Sequence, residues 1–159
     1  MRVQGRLSLR ACSALLAFSL ASCALDPAPD APPLTGAALL ESLHPVSSAM
    51  LQDPASGDWL QWGRTYDGQN FSPLTRINRD TVKNVAPAWR APLQRGVAMP
   101  TPLVHDGVMF LQTAPDTVLA LDAAIGTELW RYARAPGDVS PTMKMGLGLS
   151  GGLVFVPTS

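Results

Sequence analysis

Short apolar runs separated by turn residues dominate the second half of the chain. Leu103–His105 and Val108–Thr113 are joined through Asp106-Gly107, and an Asp-Gly pair between two apolar runs is a strong signal for a β-hairpin. Gly126, which is free to adopt a positive φ, lies in the turn between two later runs. The later runs are Val118–Leu121, Glu128–Tyr132 and Gly152–Thr158. The pattern predicts a series of short β-strands.

Helical signals come earlier in the chain and are brief. Ala37–Glu41 predicts a short helix, and Ser47–Gln52 predicts one or two further turns. Asn78–Val85 predicts a short helix capped by Asn78, whose side chain can accept bonds from free backbone N–H groups. We expect that helix to lead into a strand at Ala88–Leu93.

The apolar runs also recur at a nearly constant spacing. Gly107–Thr113 aligns with Gly152–Thr158 at a distance of 45 residues, with glycine, phenylalanine and threonine coinciding. Trp89 and Trp130 are 41 residues apart, and each ends a strand-like run. Chance similarity between two apolar strands is the alternative, and the tryptophan spacing counts against it. Short strands repeating every ~40–50 residues are typical of β-propeller blades, so the fold class predicted is all-β.

A propeller blade needs neighbours to cover its two faces, and a propeller needs to close to hide its edges. The chain has room for one full blade, a preceding strand and the start of the next blade. We therefore expect residues 58–159 to be a truncated propeller, and the chain alone to be unstable or prone to aggregation.

The first 22 residues have the composition of an export signal. Three arginines and no acidic residue occur there, followed by the apolar run Ala11–Ala21. That run is too short to span a bilayer, which takes ~20 apolar residues. Leu20–Cys23 resembles a bacterial lipobox, which predicts a signal at residues 1–22 and lipidation of Cys23. Ordinary cleavage after Ala24 is the alternative.

Residues 23–57 are predicted to be a tether followed by the short helical segment. Ala24–Pro33 is rich in proline, which favours an extended spacer, although a disordered leader has the same composition. Ala24 follows the cysteine in place of aspartate, which by resemblance to lipoprotein sorting favours the outer membrane. We thus expect an exported, periplasmic protein held to a membrane by lipid.

Charge, cysteine and histidine content argue against nucleic-acid binding, disulfide bonds and a zinc site. Removal of residues 1–22 leaves nine basic against 12 acidic residues, a net charge of −3, and no basic stripe that would favour nucleic acid. With Cys12 in the signal and Cys23 lipidated, no disulfide is expected. His44 and His105 have no cysteine near them, so a zinc site lacks ligands.

Three segments together resemble the PQQ-dependent alcohol and glucose dehydrogenases, or quinoproteins. The resemblance covers about residues 58–159. The segments are Trp59–Leu74 with Ile77-Asn78, Thr101–Val104 leading into Gly107–Phe110, and Ala120–Trp130. The third is similar to the tryptophan-docking repeat of that family, with Ile125 at the usual threonine position, and non-enzymatic propellers share it. It implies docking roles for Trp89, Asp122, Gly126 and Trp130.

The resemblance implies an eight-bladed propeller with PQQ in the central channel and a Ca²⁺ ion beside it. The metal would act as a Lewis acid, and a carboxylate would accept the proton of an alcohol or sugar substrate. Electrons would pass to a periplasmic or membrane acceptor. The metal ligands and the catalytic carboxylate would lie beyond Ser159.

Two positions of the chain align with places where the family contacts PQQ, and a third residue lies beside one of them. Met99 stands where an acid or amide is expected, and Met145 stands where an arginine is expected, with Lys144 beside it. Methionine forms no strong hydrogen bond, whereas Lys144 supplies a cation or else is a solvated loop charge. The adjacent cysteines that many members carry align near Val139-Ser140 and are absent.

Other functions compete with the dehydrogenase hypothesis. Outer-membrane assembly lipoproteins use similar repeats as scaffolds, and the lipobox, Met99 and Met145 favour that class. A non-functional remnant is a third reading. Gly146–Gly151 fits G-x-G-x-x-G, but a strand and not a helix is predicted to follow it, so we interpret it as a flexible turn and not as a nucleotide site.

Overall fold

The computed structural model describes residues 36–96, 101–114, 116–134 and 146–157. Two five-residue helices come first, α1 (Ala37–Glu41) and α2 (Ser48–Gln52), both where the sequence predicts them. The Ser47 side chain caps α2 by accepting a hydrogen bond from the Met50 N–H at 3.3 Å. Within the described ranges, no helix has the length and apolar character that crossing a bilayer requires.

A four-stranded antiparallel sheet forms the centre of the fold. Its strands follow one another in chain order, and their bounds are β1 (Leu103–His105), β2 (Val108–Thr113), β3 (Thr117–Asp122) and β4 (Glu128–Ala133). Asp106 and Gly107 have φ values of 46° and 79° at the β1–β2 turn, so the predicted hairpin is confirmed. Such a meander is the arrangement of a single propeller blade.

A second hairpin repeats the first one along the chain. β5 (Gly148–Ser150) pairs with β6 (Leu153–Phe155), and these bounds lie 45 residues after those of β1 and the first half of β2. The predicted period is therefore present in the strands themselves. The interpretation of Gly146–Gly151 as a flexible turn was wrong for Gly148–Ser150, because these residues pair with β6.

The core lies between the helical segment, the opening segment and both hairpins. Buried apolar side chains from all of these regions contact one another there, namely Val46, Leu60, Leu103, Val108, Phe110, Ala120 and Leu149. All six residues of β3 are buried, while β4 is largely exposed. The sheet is therefore covered best at its centre.

The opening segment, residues 59–74, is bonded to the sheet through its backbone and to the preceding loop through a side chain. Trp59 exchanges two backbone hydrogen bonds with Val104, at 2.8 and 2.9 Å. The buried guanidinium of Arg64 donates to the carbonyl oxygens of Pro54 and Ala55, at 3.0 and 3.1 Å. Because burying a charge is costly without such partners, these bonds explain how an arginine lies inside this segment.

Two predictions in residues 78–93 were wrong. Asn78 does accept bonds from the N–H groups of Asp80 and Thr81, but the helix that follows is a single 3₁₀ turn, Val82–Asn84. Residues 88–93 form no strand. Pro87 precedes this stretch and Pro92 lies within it, and neither carries an N–H group to donate to a sheet, which accounts for the missing strand.

Candidate functional site

A tryptophan-glycine contact lies beside the β3–β4 turn. The indole N–H of Trp89 donates to the carbonyl oxygen of Ala123 at 3.0 Å. A Cβ atom built on Gly126, whose φ is 74°, would lie 2.5 Å from two atoms of the Trp89 ring. Only glycine leaves room for this approach, so the structure brings the two predicted docking residues into direct contact.

Asp122 shapes the turn that presents Gly126. Its buried carboxylate oxygen Oδ1 accepts bonds from the N–H groups of Ala124 and Ile125, at 2.9 and 3.2 Å. Its carbonyl oxygen accepts the N–H of Gly126 at 2.8 Å. An aspartate that bonds to the backbone two residues on stabilises a turn of this kind. Ile125 contributes its backbone N–H to the turn, so the isoleucine in place of threonine still allows it to form.

Trp130 is the second tryptophan of the repeat and has a different environment. Its side chain stacks on Tyr132, with ring centroids 6.4 Å apart, and it is 42% exposed. It lines an open apolar cavity with Val154 and Phe155. In the part of the chain that the structure describes, its ring has no glycine turn against it of the kind that covers Trp89.

A buried histidine cluster lies at the end of β1, and the sequence did not predict it. The Nδ1 atom of His105 is 2.9 Å from Oδ2 of Asp58, and its Nε2 atom is 2.8 Å from the carbonyl oxygen of His44. Asp106 approaches Nε2 to 3.4 Å and also accepts bonds from His44. Each of Asp58, His105 and Asp106 offers one side-chain oxygen or nitrogen atom that could bind a metal ion, and these three atoms lie within 4.8 Å of one another. Each of the three side chains already has a hydrogen-bond partner.

The surroundings of His105 change its acidity. Burial alone would lower the pKa of its imidazole, but the bonds to Asp58 and to the His44 carbonyl, together with the charges of Asp106 and Asp58, raise that pKa above the ordinary value of 6.5. For the carboxyl group of Asp106, burial alone would instead raise the pKa. The hydrogen bonds from His44 and the charges of both histidines lower it below its ordinary value.

Comparison with known proteins places the chain in a family. The family described as "PQQ: Glucose/ethanol/alcohol dehydrogenase, beta-propeller domain" matches residues 59–149, more than half of the chain. The chain belongs to the PQQ-dependent dehydrogenase propeller family. The predicted resemblance and the β-propeller fold class are thereby confirmed.

Relatives in this quinoprotein family share roughly two fifths of the aligned residues with the chain. The quinohemoprotein alcohol dehydrogenase ADH IIB of Pseudomonas putida is 40% identical over 67% of this chain and 16% of its own length. The dehydrogenase subunit of alcohol dehydrogenase (quinone) from Gluconobacter oxydans is 37% identical over 83% of this chain and 16% of its own length.

Solved structures of quinoproteins superpose on the chain. The quinohemoprotein alcohol dehydrogenase ADHIIG of Pseudomonas putida HK5 aligns over 73% of this chain and 18% of its own, with a TM-score of 0.63 and 31% identity. The enzyme of Comamonas testosteroni gives a TM-score of 0.60 at 27% identity, over 77% of this chain and 19% of its own. The chain thus spans less than a quarter of the length of these relatives.

The residues predicted to contact PQQ in this quinoprotein chain, Met99, Lys144 and Met145, lie outside the described residues, as does Cys23. The chemistry of these three side chains can still be compared with what PQQ requires of its binding site. PQQ is a quinone that carries carboxylate groups, so it requires cations and hydrogen-bond donors. Lys144 offers a cation, but neither methionine offers a strong donor or acceptor. Two of the three positions therefore do not suit the cofactor.

Proposed function

We propose that this chain supplies the opening part of the propeller of a PQQ-dependent dehydrogenase that oxidises an alcohol or a sugar. The observation that carries the proposal is the match of residues 59–149 to the quinoprotein family, and the contact between Trp89 and Gly126 lies within that region. In that role the contact of Trp89 with the β3–β4 turn, which we call the Trp89–Gly126 corner, would hold residues 85–93 against a complete four-stranded blade. Relatives whose names state alcohol dehydrogenase activity support the substrate class.

In this proposal PQQ, with Ca²⁺ beside it, supplies the redox chemistry, and the electrons leave to a periplasmic or membrane acceptor. The chain's own contribution is structural. Lys144, beside the position that aligns with the family's arginine, supplies a cation suited to an anionic cofactor, and the remaining ligands and the catalytic carboxylate would come from residues that follow Ser159.

A scaffold function is the second candidate, and a specific observation favours it. Met99 and Met145 replace groups that would contact the cofactor, as expected of a propeller that no longer binds PQQ. Such a protein would use its blades to bind other proteins of the cell envelope.

Cofactor binding by the complete product of the gene distinguishes the two functions. We expect the product to bind PQQ in the presence of Ca²⁺, measured by equilibrium dialysis, and to reduce an artificial dye with at least one member of an alcohol and sugar panel. The Met99→Glu/Met145→Arg variant should bind PQQ more tightly, because it restores a carboxylate and a cation. Met143→Arg, which adds the same charge two residues away, is the matched control.

The dehydrogenase and scaffold functions predict different outcomes. Binding and dye reduction by the wild type support the dehydrogenase. Binding that appears only in the double variant supports a propeller that has lost its cofactor, and so supports the scaffold. An absence of binding in all three proteins rejects the dehydrogenase function.

We also propose that the protein is exported and held by lipid on Cys23, on the strength of the lipobox-like Leu20–Cys23. Cells supplied with radiolabelled palmitate should label the wild-type protein in the membrane fraction. The Cys23→Ser variant should lose both the label and the membrane association, while Cys12→Ser should retain both. Equal labelling of the wild type and Cys23→Ser would reject lipidation at this residue.

A further inference from the structure

Both ring nitrogens of His105 face oxygen atoms that can only accept hydrogen bonds. One is a carboxylate oxygen of Asp58 at 2.9 Å, and the other is the backbone carbonyl oxygen of His44 at 2.8 Å. A neutral imidazole carries a single N–H group and can satisfy only one of them, whereas an imidazolium satisfies both. Since His105 is only 2% exposed, an unpaired ring nitrogen has little access to water as a replacement partner.

The histidine joins parts of the chain that are distant in sequence. Asp58 immediately precedes the opening segment, His44 lies between the two helices, and His105 ends β1. The neighbouring backbone is attached on both sides: the His44 N–H donates to Oδ2 of Asp106 at 3.0 Å, and Val46 exchanges two bonds with Gly151, both 2.8 Å.

We propose that His105 is a proton-dependent clasp. Its imidazolium ion holds residues 44–46 against the blade, and loss of its proton loosens that segment. The Nε2–H bond to the His44 carbonyl is the one affected, because the carboxylate of Asp58 retains the proton on Nδ1 in the neutral ring.

Two titratable side chains face the ring in the described part of the chain. Asp58, just before the opening segment, and Asp106, in the β1–β2 turn, approach with their carboxylates, while His44 contacts the ring through its backbone carbonyl oxygen and bonds Asp106 with its side chain. The cavity beside the ring is otherwise lined by apolar residues and glycine from residues 40–46, β2 and the β5–β6 hairpin, including Leu149 and Leu153. The two carboxylates both favour the charged form of His105.

The sign of the pH dependence follows from these contacts. Because the pKa of His105 is raised above 6.5, its protonation stabilises the folded state fully below pH 6.5, and this contribution is lost as the pH rises through the folded value. The pKa of Asp106 is lowered from 3.8, so its contribution is present above pH 3.8 and is lost as the pH falls through its folded value. Both contributions are fully present, and the clasp is tightest, between pH 3.8 and pH 6.5.

The chain's two histidines make a direct test possible. In the full chain labelled with ¹⁵N-histidine, the His44→Gln variant leaves His105 as the single imidazole signal. We expect both of its nitrogens to be protonated at pH 6, and its pKa to lie above that of the same histidine in urea-unfolded chain. Asp58→Asn should lower the pKa of His105, because burial lowers this pKa and the negative charge of Asp58, which raises it, is then gone.

Hydrogen exchange measures the attachment itself. After correction for the intrinsic pH dependence of exchange, the amide of Val46 should lose at least several-fold protection above the folded pKa of His105, while amides in the centre of β2 keep theirs. His44→Gln should leave this loss unchanged, because it preserves the backbone carbonyl. A neutral His105 at pH 6, or Val46 protection that does not change across the titration, would overturn the proposal.

Discussion

At the scale of single residues, close approach decides which side chains are allowed. The contact between Trp89 and Gly126 depends on the absence of a side chain at residue 126, and the positive φ of 74° there independently favours glycine. The two requirements coincide at this one position of the β3–β4 turn. Glycine at residue 126 is therefore required by both packing and backbone conformation.

Gly126→Ala is expected to lower the free energy of unfolding by about 1–3 kcal/mol from backbone strain, and by a further amount as the Trp89 ring moves aside. Urea denaturation followed by tryptophan fluorescence measures both changes. Gly57→Ala is the matched control, because its φ is not in the left-handed region and a Cβ there meets nothing within 4 Å. Equal losses in the two variants would contradict this account of the corner.

At the scale of elements, the first hairpin and β6 could be predicted because their signals are local. Asp106-Gly107 marks a turn by its own chemistry, and the same spacing of glycine and apolar residues 45 positions later marks β6. The structure extends the predicted β3 and β4 runs by only one or two residues. Local turn chemistry and hydrophobic pattern were sufficient for these elements.

Elements that depend on distant partners were predicted poorly. Residues 88–93 were predicted to form a strand, yet Trp89 meets the sheet through its side chain and no backbone ladder forms beside Pro87 and Pro92. β5 begins with Gly148 and lies in a glycine-rich stretch, and it pairs with β6 in spite of that composition. The contacts of Trp89 with Ala123 and of β5 with β6 are tertiary, and one short segment does not encode them.

At the scale of the whole molecule, the docking corner could be predicted and the histidine cluster could not. Trp89, Asp122 and Gly126 belong to a repeat with a recognisable sequence, and its residues meet in the fold. His105 contacts Asp58 and His44, which are 47 and 61 residues away, and no spacing in the sequence connects them. Only the folded chain brings a carboxylate and a carbonyl oxygen to opposite sides of one imidazole.

The exposed apolar surface of β4 and β6 has a consequence for the chain in solution. Leu153 and Phe155 are 64% and 55% exposed, and Trp130, which lines one cavity with Phe155, is 42% exposed. Contiguous apolar surface of this kind, next to a short two-stranded sheet, promotes association. We therefore expect the 159-residue chain to self-associate in a concentration-dependent way, measured by sedimentation velocity.

Leu153→Lys/Phe155→Lys should reduce this association several-fold, because burying two ammonium groups in an apolar contact is costly. Ile125→Lys removes a side chain of similar exposure, 56%, from the β3–β4 turn, away from that surface, and should leave association unchanged. If the turn variant reduced association as much as the double variant, general charge repulsion and not the β4–β6 surface would be the cause. In that case the exposed tryptophan and phenylalanine would not mark the face that a neighbouring blade covers.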